Sequence, residues 1–219
     1  MRRRKTKFHR RVQLYTRMGC VILLGILITF AGMKLFHIGP FGNKYVEKTG
    51  VEIEESRPPM QVELLTINEY SRPAIAVSRI KGIVIHYTGN PGSTAMQNRN
   101  YFESLKDTKE TSASSHFVVG LEGEIVQCVP TWEVAYASNH RNSDTISIET
   151  CHMTEDGTYT DETYDSLVEL TAWLCKKYNL TEEDLLRHYD VTGKICPKYF
   201  VENEDAWDAF KIDVKNAMK

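Results

Sequence analysis

The sequence predicts an α/β domain, in which a mixed central β-sheet is flanked by helices, preceded by a single N-terminal transmembrane helix. Two observations lead to this fold class. Strand-like and helix-like segments alternate from residue 61 to the end of the chain, which is typical of a sheet covered by helices. A basic tail followed directly by a long apolar run precedes them, which is the pattern of a membrane anchor. The hydrophobic content of 42% and the charged content of 26% are globular values.

The first 38 residues predict a basic cytoplasmic tail (1–17) and a transmembrane anchor (18–38). Eight of the 27 Lys and Arg residues fall in the tail, where no acidic residue occurs. The uncharged window 18–33 is 16 residues long, and apolar residues continue beyond Lys34, whose ammonium can extend to the lipid headgroups. The positive-inside rule then places the N-terminus in the cytoplasm. A cleaved signal peptide is the alternative, although no small-residue cleavage site follows Phe30.

Residues 39–60 are predicted to be a linker, because Gly, Pro and acidic residues occur there without a sustained period. The folded domain is therefore expected to comprise residues 61–219, outside the cell. Beyond the tail, the other 19 basic residues are outnumbered by 29 acidic residues, which gives that part of the chain a formal charge of −10. This charge argues against nucleic-acid binding by the domain.

The strands and helices of the domain are predicted from the spacing of apolar residues and from helix-capping residues. Alternating or continuous apolar runs predict the strands Ile80–Tyr87, His116–Val119, Glu124–Val129, Thr145–Thr150 and Leu185–His188, the second and third joined by a turn at Glu122-Gly123. A 3.6-residue period predicts the helices Thr94–Leu105, with Thr94 as N-cap, Asp161–Tyr178 and Asp205–Met218.

The most informative motif is Arg187-His188-Tyr189-Asp190-Val191-Thr192-Gly193-Lys194-Ile195-Cys196-Pro197. It places a histidine and a cysteine eight residues apart, across a loop that contains Gly and ends in Pro. A further histidine, His86, ends the apolar run of the first long strand. Two imidazoles and one thiolate can form a three-ligand zinc site with an open fourth position. Such a site activates water at neutral pH, so hydrolysis is the leading hypothesis.

Four segments in this order carry a family resemblance. They are Ile85-His86-Tyr87-Thr88-Gly89-Asn90, Ser115-His116-Phe117-Val118-Val119, Ile146-Ser147-Ile148-Glu149-Thr150-Cys151 and the motif from His188 to Pro197. Together they resemble the zinc-dependent N-acetylmuramoyl-L-alanine amidases of type 2, whose fold is shared by peptidoglycan-recognition proteins and phage lysozymes. The resemblance covers about residues 63–200. It implies one Zn²⁺ ion with His86, His188 and Cys196 as ligands, a donor set suited to zinc. For His86, a core histidine at a strand end is the alternative.

Two charged residues are candidates for catalysis beside the metal. Glu149 follows the run Ile146-Ser147-Ile148, where a carboxylate is costly unless it has a partner or a function. There it can take a proton from water and later give it to the leaving amine, as a base does in several branches of the family. Lys194 resembles the family lysine that stabilises the tetrahedral oxyanion. A strand-edge surface glutamate and an exposed loop lysine are the alternatives.

His116 matches a family histidine near the substrate groove, so it is a candidate substrate-binding residue. A core histidine with satisfied hydrogen bonds is an equal alternative. The chain also departs from the family pattern. Ser115 stands where the phage-lysozyme branch has a tyrosine, which leaves more of the proton transfer to Glu149. Many relatives have a Trp-His pair where this chain has Tyr136-Ala137-Ser138; His140 is close enough to substitute, with a surface histidine as the alternative.

The cysteines outside the motif and the anchor are Cys128, Cys151 and Cys175. Their number is odd, so at most one pair can form a disulfide, and the sequence does not choose the pair. Cys175 fits the apolar face of the long helix and is expected to be a small buried hydrophobic residue.

These observations predict a membrane-anchored zinc hydrolase that cleaves the amide between the lactyl group of N-acetylmuramic acid and the L-alanine of the stem peptide, in cell-wall remodelling. Its expected partners are peptidoglycan and the plasma membrane, with no nucleic acid, and the chain is expected to be a monomer. A peptidoglycan-binding receptor on the same fold is the main alternative. Cys196 and Lys194 favour the enzyme, because members that only bind typically lack the ligand cysteine. A zinc protease is disfavoured by the lack of a His-Glu-x-x-His motif.

Overall fold

The computed structural model describes residues 54–77 and 79–219, and the structural statements below concern these residues. The predicted tail, the predicted anchor and most of the predicted linker lie outside them. No helix within the described ranges combines the length and the hydropathy that crossing a bilayer requires.

The strands form one six-stranded mixed sheet in the order β1-β4-β3-β5-β2-β6. Their bounds are β1 (Gln61–Val62), β2 (Gly82–Tyr87), β3 (Phe117–Val119), β4 (Ile125–Gln127), β5 (Thr145–Thr150) and β6 (Leu185–Arg187). Neighbouring strands are parallel except β3 and β4, which form the antiparallel hairpin that the sequence predicts. The mixed α/β sheet is thereby confirmed.

Helices cover both faces of this sheet. They are α1 (Ala95–Thr108), α2 (Asp161–Tyr178), α3 (His188–Thr192), α4 (Lys198–Glu202) and α5 (Glu204–Ala217). Helix α1 starts with a capping box in which the Thr94 side chain accepts from the Gln97 N–H and the Gln97 side chain accepts from the Thr94 N–H. At the start of helix α2 the Thr160 side chain accepts from the Thr163 N–H, and the helix ends at Asn179, which adopts the left-handed conformation.

The core is divided between the two faces because side chains alternate along each strand. Phe117 and Val119 of β3 pack into a large cluster with α2 and α5, whereas Val118 between them packs into a smaller cluster under α1. In the large cluster, Phe200 of α4 contacts the rings of Trp207 and Phe210 at centroid distances of 5.4 and 5.2 Å. This packing places the short segment from α3 to α4 against the end of the sheet.

Several predicted boundaries differ from the observed ones. The strand predicted to end at His188 ends at Arg187, and His188 is the first residue of α3. The segment between His188 and Cys196, predicted to be a loop over its whole length, therefore begins with a short helix. The cause is local: the Asp190 carboxylate accepts from the Arg187 N–H at 2.8 Å and caps the turn. Strand β2 begins two residues later than predicted, at Gly82, and α1 continues three residues beyond Leu105.

The last residues of the predicted linker contact the domain. Pro58 is buried, Met60 packs against the larger core cluster, and Glu54 forms an ion pair of 2.7 Å with Lys177 at the end of α2. The described cysteines are all free and buried: Cys128, Cys151, Cys175 and Cys196. Cys175 lies on the buried face of α2, as expected.

Candidate metal centre and active-site cavity

The three predicted ligands meet at the carboxyl ends of β2 and β6. These strands are parallel neighbours with Ile85 opposite Arg187, so His86 and His188 follow at the same level of the sheet. Their ring centroids are 4.6 Å apart. Cys196 returns to them after α3 and a left-handed turn at Gly193, and its carbonyl accepts from the Tyr189 N–H at 2.9 Å. Carboxyl ends of parallel strands are where α/β sheets place ligand sites.

The three donor groups fit a single divalent ion. One nitrogen of each ring and the Cys196 Sγ lie within 4.8 Å of one another, and Sγ is 3.9 Å from His86 Nδ1. Zn–N and Zn–S bonds of about 2.0–2.3 Å place two ligands of one tetrahedral ion roughly 3.5 Å apart, so small side-chain shifts suffice. All three side chains are buried. Two imidazoles and one sulfur leave a position free for water or substrate, as in catalytic zinc sites.

Burial also sets the protonation of these ligands. The pKa of His86 is well below its usual value, because of burial first and then the charges of His188 and Lys194. The pKa of His188 is lowered by burial and by Lys194. Both rings are therefore neutral, which is the form that binds a metal. Burial raises the pKa of the Cys196 thiol to about 12, so metal binding there must release a proton.

The outer nitrogens of both rings are bonded to two consecutive residues. His86 Nε2 lies 3.1 Å from Ser138 Oγ, and His188 Nε2 lies 3.2 Å from Asn139 Oδ1. These two residues were not predicted as part of the site. The sequence drew attention to this segment only because Tyr136-Ala137-Ser138 differs from the family pattern, and that difference was interpreted as the loss of a contact to the substrate groove.

Glu149 lies beside the ligands because it is the β5 residue in register with His86 on β2. Its Oε2 atom is buried and has no hydrogen-bond partner among the described residues. Burial raises its pKa to about 8, and the charge of Lys194 opposes this rise. A carboxyl group with a pKa near neutrality and an unpartnered oxygen is suited to exchanging protons with a bound molecule.

One cavity of about 300 Å³ joins the predicted residues. His86, His188, Cys196, Glu149 and Lys194 all line it, and its further walls come from β2, α1 and the segments around Ser114 and Tyr136. Lys194 itself is exposed, so its ammonium can approach a ligand in the cavity from the solvent side. The five residues that were expected to act together are thus adjacent in space.

His116 does not line this cavity, which corrects its expected role as a substrate contact. Its side chain is 1% exposed, and both ring nitrogens are satisfied inside the protein. Nδ1 accepts from the Ser147 N–H at 3.0 Å, and Nε2 donates to the Glu133 carbonyl at 2.9 Å. His116 therefore joins the start of β3 to β5 as a core residue. Ser115 is also buried, and its hydroxyl donates to the carbonyls of Phe117 and Ser147.

Comparisons with known proteins indicate one family. The family model described as N-acetylmuramoyl-L-alanine amidase matches residues 76–199. The N-acetylmuramoyl-L-alanine amidase CwlL of Bacillus licheniformis is 34% identical over 165 residues, which cover 69% of this chain and 45% of that protein. The amidase BlyA of Bacillus subtilis is 31% identical over 175 residues, 70% of this chain and 46% of that protein. The solution structure of the PlyG catalytic domain aligns with a TM-score of 0.63 and 26% identity, over 74% of this chain and 96% of that domain. The chain spans about half the length of these curated relatives.

Proposed function

The chain belongs to the N-acetylmuramoyl-L-alanine amidase family, and from this premise we propose that it hydrolyses the amide between the lactyl group of N-acetylmuramic acid and the L-alanine of the peptidoglycan stem peptide. The observation that supports this most strongly is the shared cavity of His86, His188 and Cys196 with Glu149 and Lys194. It combines a donor set for one metal ion with a carboxyl group for proton transfer and a cation for developing charge.

His86, His188 and Cys196 would bind one zinc ion. When bound, zinc supplies a Lewis acid that polarises a carbonyl group and lowers the pKa of water. The neutral imidazoles and the thiolate leave such an ion with a net positive charge.

Glu149 acts as the general base and then as the general acid. Its carboxylate takes the proton of the attacking water while the new C–O bond forms. The same proton then passes from Glu149 to the alanine nitrogen as the C–N bond breaks, so the carboxylate is regenerated. The buried, unpartnered Oε2 is the atom that carries the proton. Proton transfer by a positioned side chain contributes about 10²–10⁴ in rate.

Lys194 stabilises the negative charge that develops on the carbonyl oxygen. The same ammonium opposes the rise in the pKa of Glu149 and contributes to the lowered pKa of both ligand imidazoles, so its electrostatic influence reaches these three groups. Removal of one such donor typically costs about 10²–10³ in rate.

From the sequence we also propose how the chain is arranged relative to the plasma membrane. The tail 1–17 is cytoplasmic, residues 18–38 form a single-pass anchor in the plasma membrane, and the linker 39–60 connects it to the domain 61–219, which faces the cell wall. Support comes from the basic tail and the apolar run behind it. Fractionation after alkaline carbonate treatment tests the anchor: the protein should stay with the membrane pellet, and its release would contradict the anchor. Such an enzyme acts on peptidoglycan near the membrane, in local wall remodelling.

The test of the activity is digestion of defined muropeptides by the purified protein loaded with zinc. Stem peptides with a free N-terminal alanine should accumulate. Cys196→Ala and His188→Ala should abolish both zinc binding and release, whereas His140→Ala, the replacement of an exposed histidine nearby, should leave zinc binding unchanged. Tight muropeptide binding without release of peptides would contradict the hydrolase and support a receptor.

A further inference from the structure

We propose that Ser138 and Asn139 are positioning residues for the metal centre, and that they fix the tautomers of both imidazole ligands from one short segment. This inference rests on the proposed zinc site and deepens it. Its physical basis is that a ligating imidazole binds metal through one nitrogen, and the hydrogen bond of the other nitrogen decides which one is free.

The contact of Ser138 assigns the ligand atom of His86. Ser138 is buried, and its Oγ lies 3.1 Å from His86 Nε2. On the other side of the same ring, Nδ1 is the atom near Cys196 Sγ, at 3.9 Å. When Nε2–H donates to the hydroxyl oxygen, the lone pair lies on Nδ1, facing the thiol. By accepting from Nε2–H, Ser138 stabilises the tautomer in which His86 and Cys196 can share one ion.

The contact of Asn139 does the same for His188. Its Oδ1 is only an acceptor, so the 3.2 Å contact requires a proton on His188 Nε2 and leaves the lone pair on Nδ1. Asn139 has a φ of +53°, a left-handed conformation that asparagine tolerates better than most residues with a Cβ. This conformation turns its side chain toward α3 while Ser138, one residue earlier, reaches β2.

The segment is itself fixed by hydrogen bonds. The Asn142 Oδ1 accepts from the Ala137 N–H at 3.1 Å and from the Ser138 N–H at 2.5 Å. Asn142 and Asn139 both belong to the 3₁₀ helix Asn139–Ser143, which leads into β5 and hence to Glu149. A single turn therefore orients two metal ligands and connects them to the strand of the proposed base.

Zinc affinity of the full chain in detergent tests the proposal, measured by competition with a chromogenic chelator. Ser138→Ala and Asn139→Gly should each weaken zinc binding about 10- to 100-fold, the usual effect of losing such an outer hydrogen bond. Glycine retains the left-handed backbone at position 139 and removes only an exposed side chain, so the fold should be unaffected. Asn139→Asp retains an acceptor and should bind zinc within a few-fold of the parent.

Two further readouts separate positioning from a general structural effect. The visible absorption of Co²⁺-loaded protein should change in Ser138→Ala and Asn139→Gly, while the melting temperature of the metal-free protein stays within a few degrees of the parent. His140 lies in the same 3₁₀ helix without a bond to either ligand. His140→Ala should therefore change neither the visible absorption nor the melting temperature. Parent-like zinc affinity in both variants would overturn the inference and leave the zinc site standing. No zinc binding by the parent chain would overturn both.

Discussion

Replacing Glu149 by glutamine should make the metal-free protein more stable and the loaded enzyme far less active. Burial raises the pKa of this carboxyl from 4.5 to about 8. The folded state therefore keeps the proton that the unfolded chain loses above pH 4.5, so stability falls as the pH rises from 4.5 through 8. At pH 7 the loss is about 3 kcal/mol, and above pH 8 about 5 kcal/mol, from 1.36 kcal/mol for each pH unit. Glutamine has a similar shape and cannot ionise, so the variant avoids this loss.

The assay is urea unfolding of both proteins in EDTA between pH 4.5 and 8. The two free energies of unfolding should be similar at pH 4.5, and the glutamine variant should gain steadily toward pH 8. Because the titrations of the other groups are common to both proteins, the difference between the two curves isolates Glu149. Zinc should reduce the difference between the two free energies of unfolding, since a nearby cation lowers the pKa of the Glu149 carboxyl group. In the muropeptide assay, the same variant should bind zinc and lose about 10²–10⁴ in rate.

Two results would refute this reasoning. A stability difference that does not vary with pH would mean that Glu149 ionises as easily in the folded as in the unfolded chain. Unchanged release of stem peptides from sacculi would show that Glu149 is not the base.

Three other changes have defined outcomes. Lys194→Ala should keep zinc and lower kcat by about 10²-fold in the muropeptide assay, with partial recovery in Lys194→Arg, because a donor to the carbonyl oxygen is lost; loss of zinc instead would contradict this role. Burial lowers the pKa of His116 from 6.5 to about 4. Its contribution to the free energy of unfolding is therefore full above pH 6.5 and falls by about 3 kcal/mol on acidification to pH 4. In urea unfolding, His116→Gln should lose less stability than the parent between pH 6.5 and 4, and an equal loss would refute the view that His116 is buried in its neutral form. Phe200→Ala should cost about 3–5 kcal/mol of unfolding free energy by leaving a cavity between two aromatic rings, whereas Ile212→Ala on the exposed face of α5 should change it by about 0.5 kcal/mol or less.

Much of the fold was predictable because it depends on local patterns. The helix Asp161–Tyr178 and the strand Thr145–Thr150 have the predicted bounds, since a capped amphipathic period and a β-branched run each define their own ends. Helix α3 was not predicted. It has only five residues, too few to show a period, and it depends on the Asp190 cap and on contacts with residues distant in the sequence.

The site was predictable to the extent that it consists of residue types with distinctive chemistry. His86, His188 and Cys196 could be proposed as a set because two imidazoles and a thiolate suit zinc and because the segments that contain them resemble those of the type 2 amidases. His116 has equally distinctive chemistry but lies in the core, since its two partners are a backbone carbonyl and Ser147, which no sequence pattern identifies. Ser138 and Asn139 are common loop residues, and only the three-dimensional contact with the imidazoles distinguishes them.

The wide separation of the metal donors along the chain has a consequence for the timing of activity. His86 and Cys196 are 110 positions apart, whereas His188 lies only eight positions before Cys196. A nascent polypeptide that is still leaving the ribosome has only one of them available. The proposed metal centre can therefore form only after residue 196 has left the ribosome, and a chain that stops before residue 188 lacks two of the three donors.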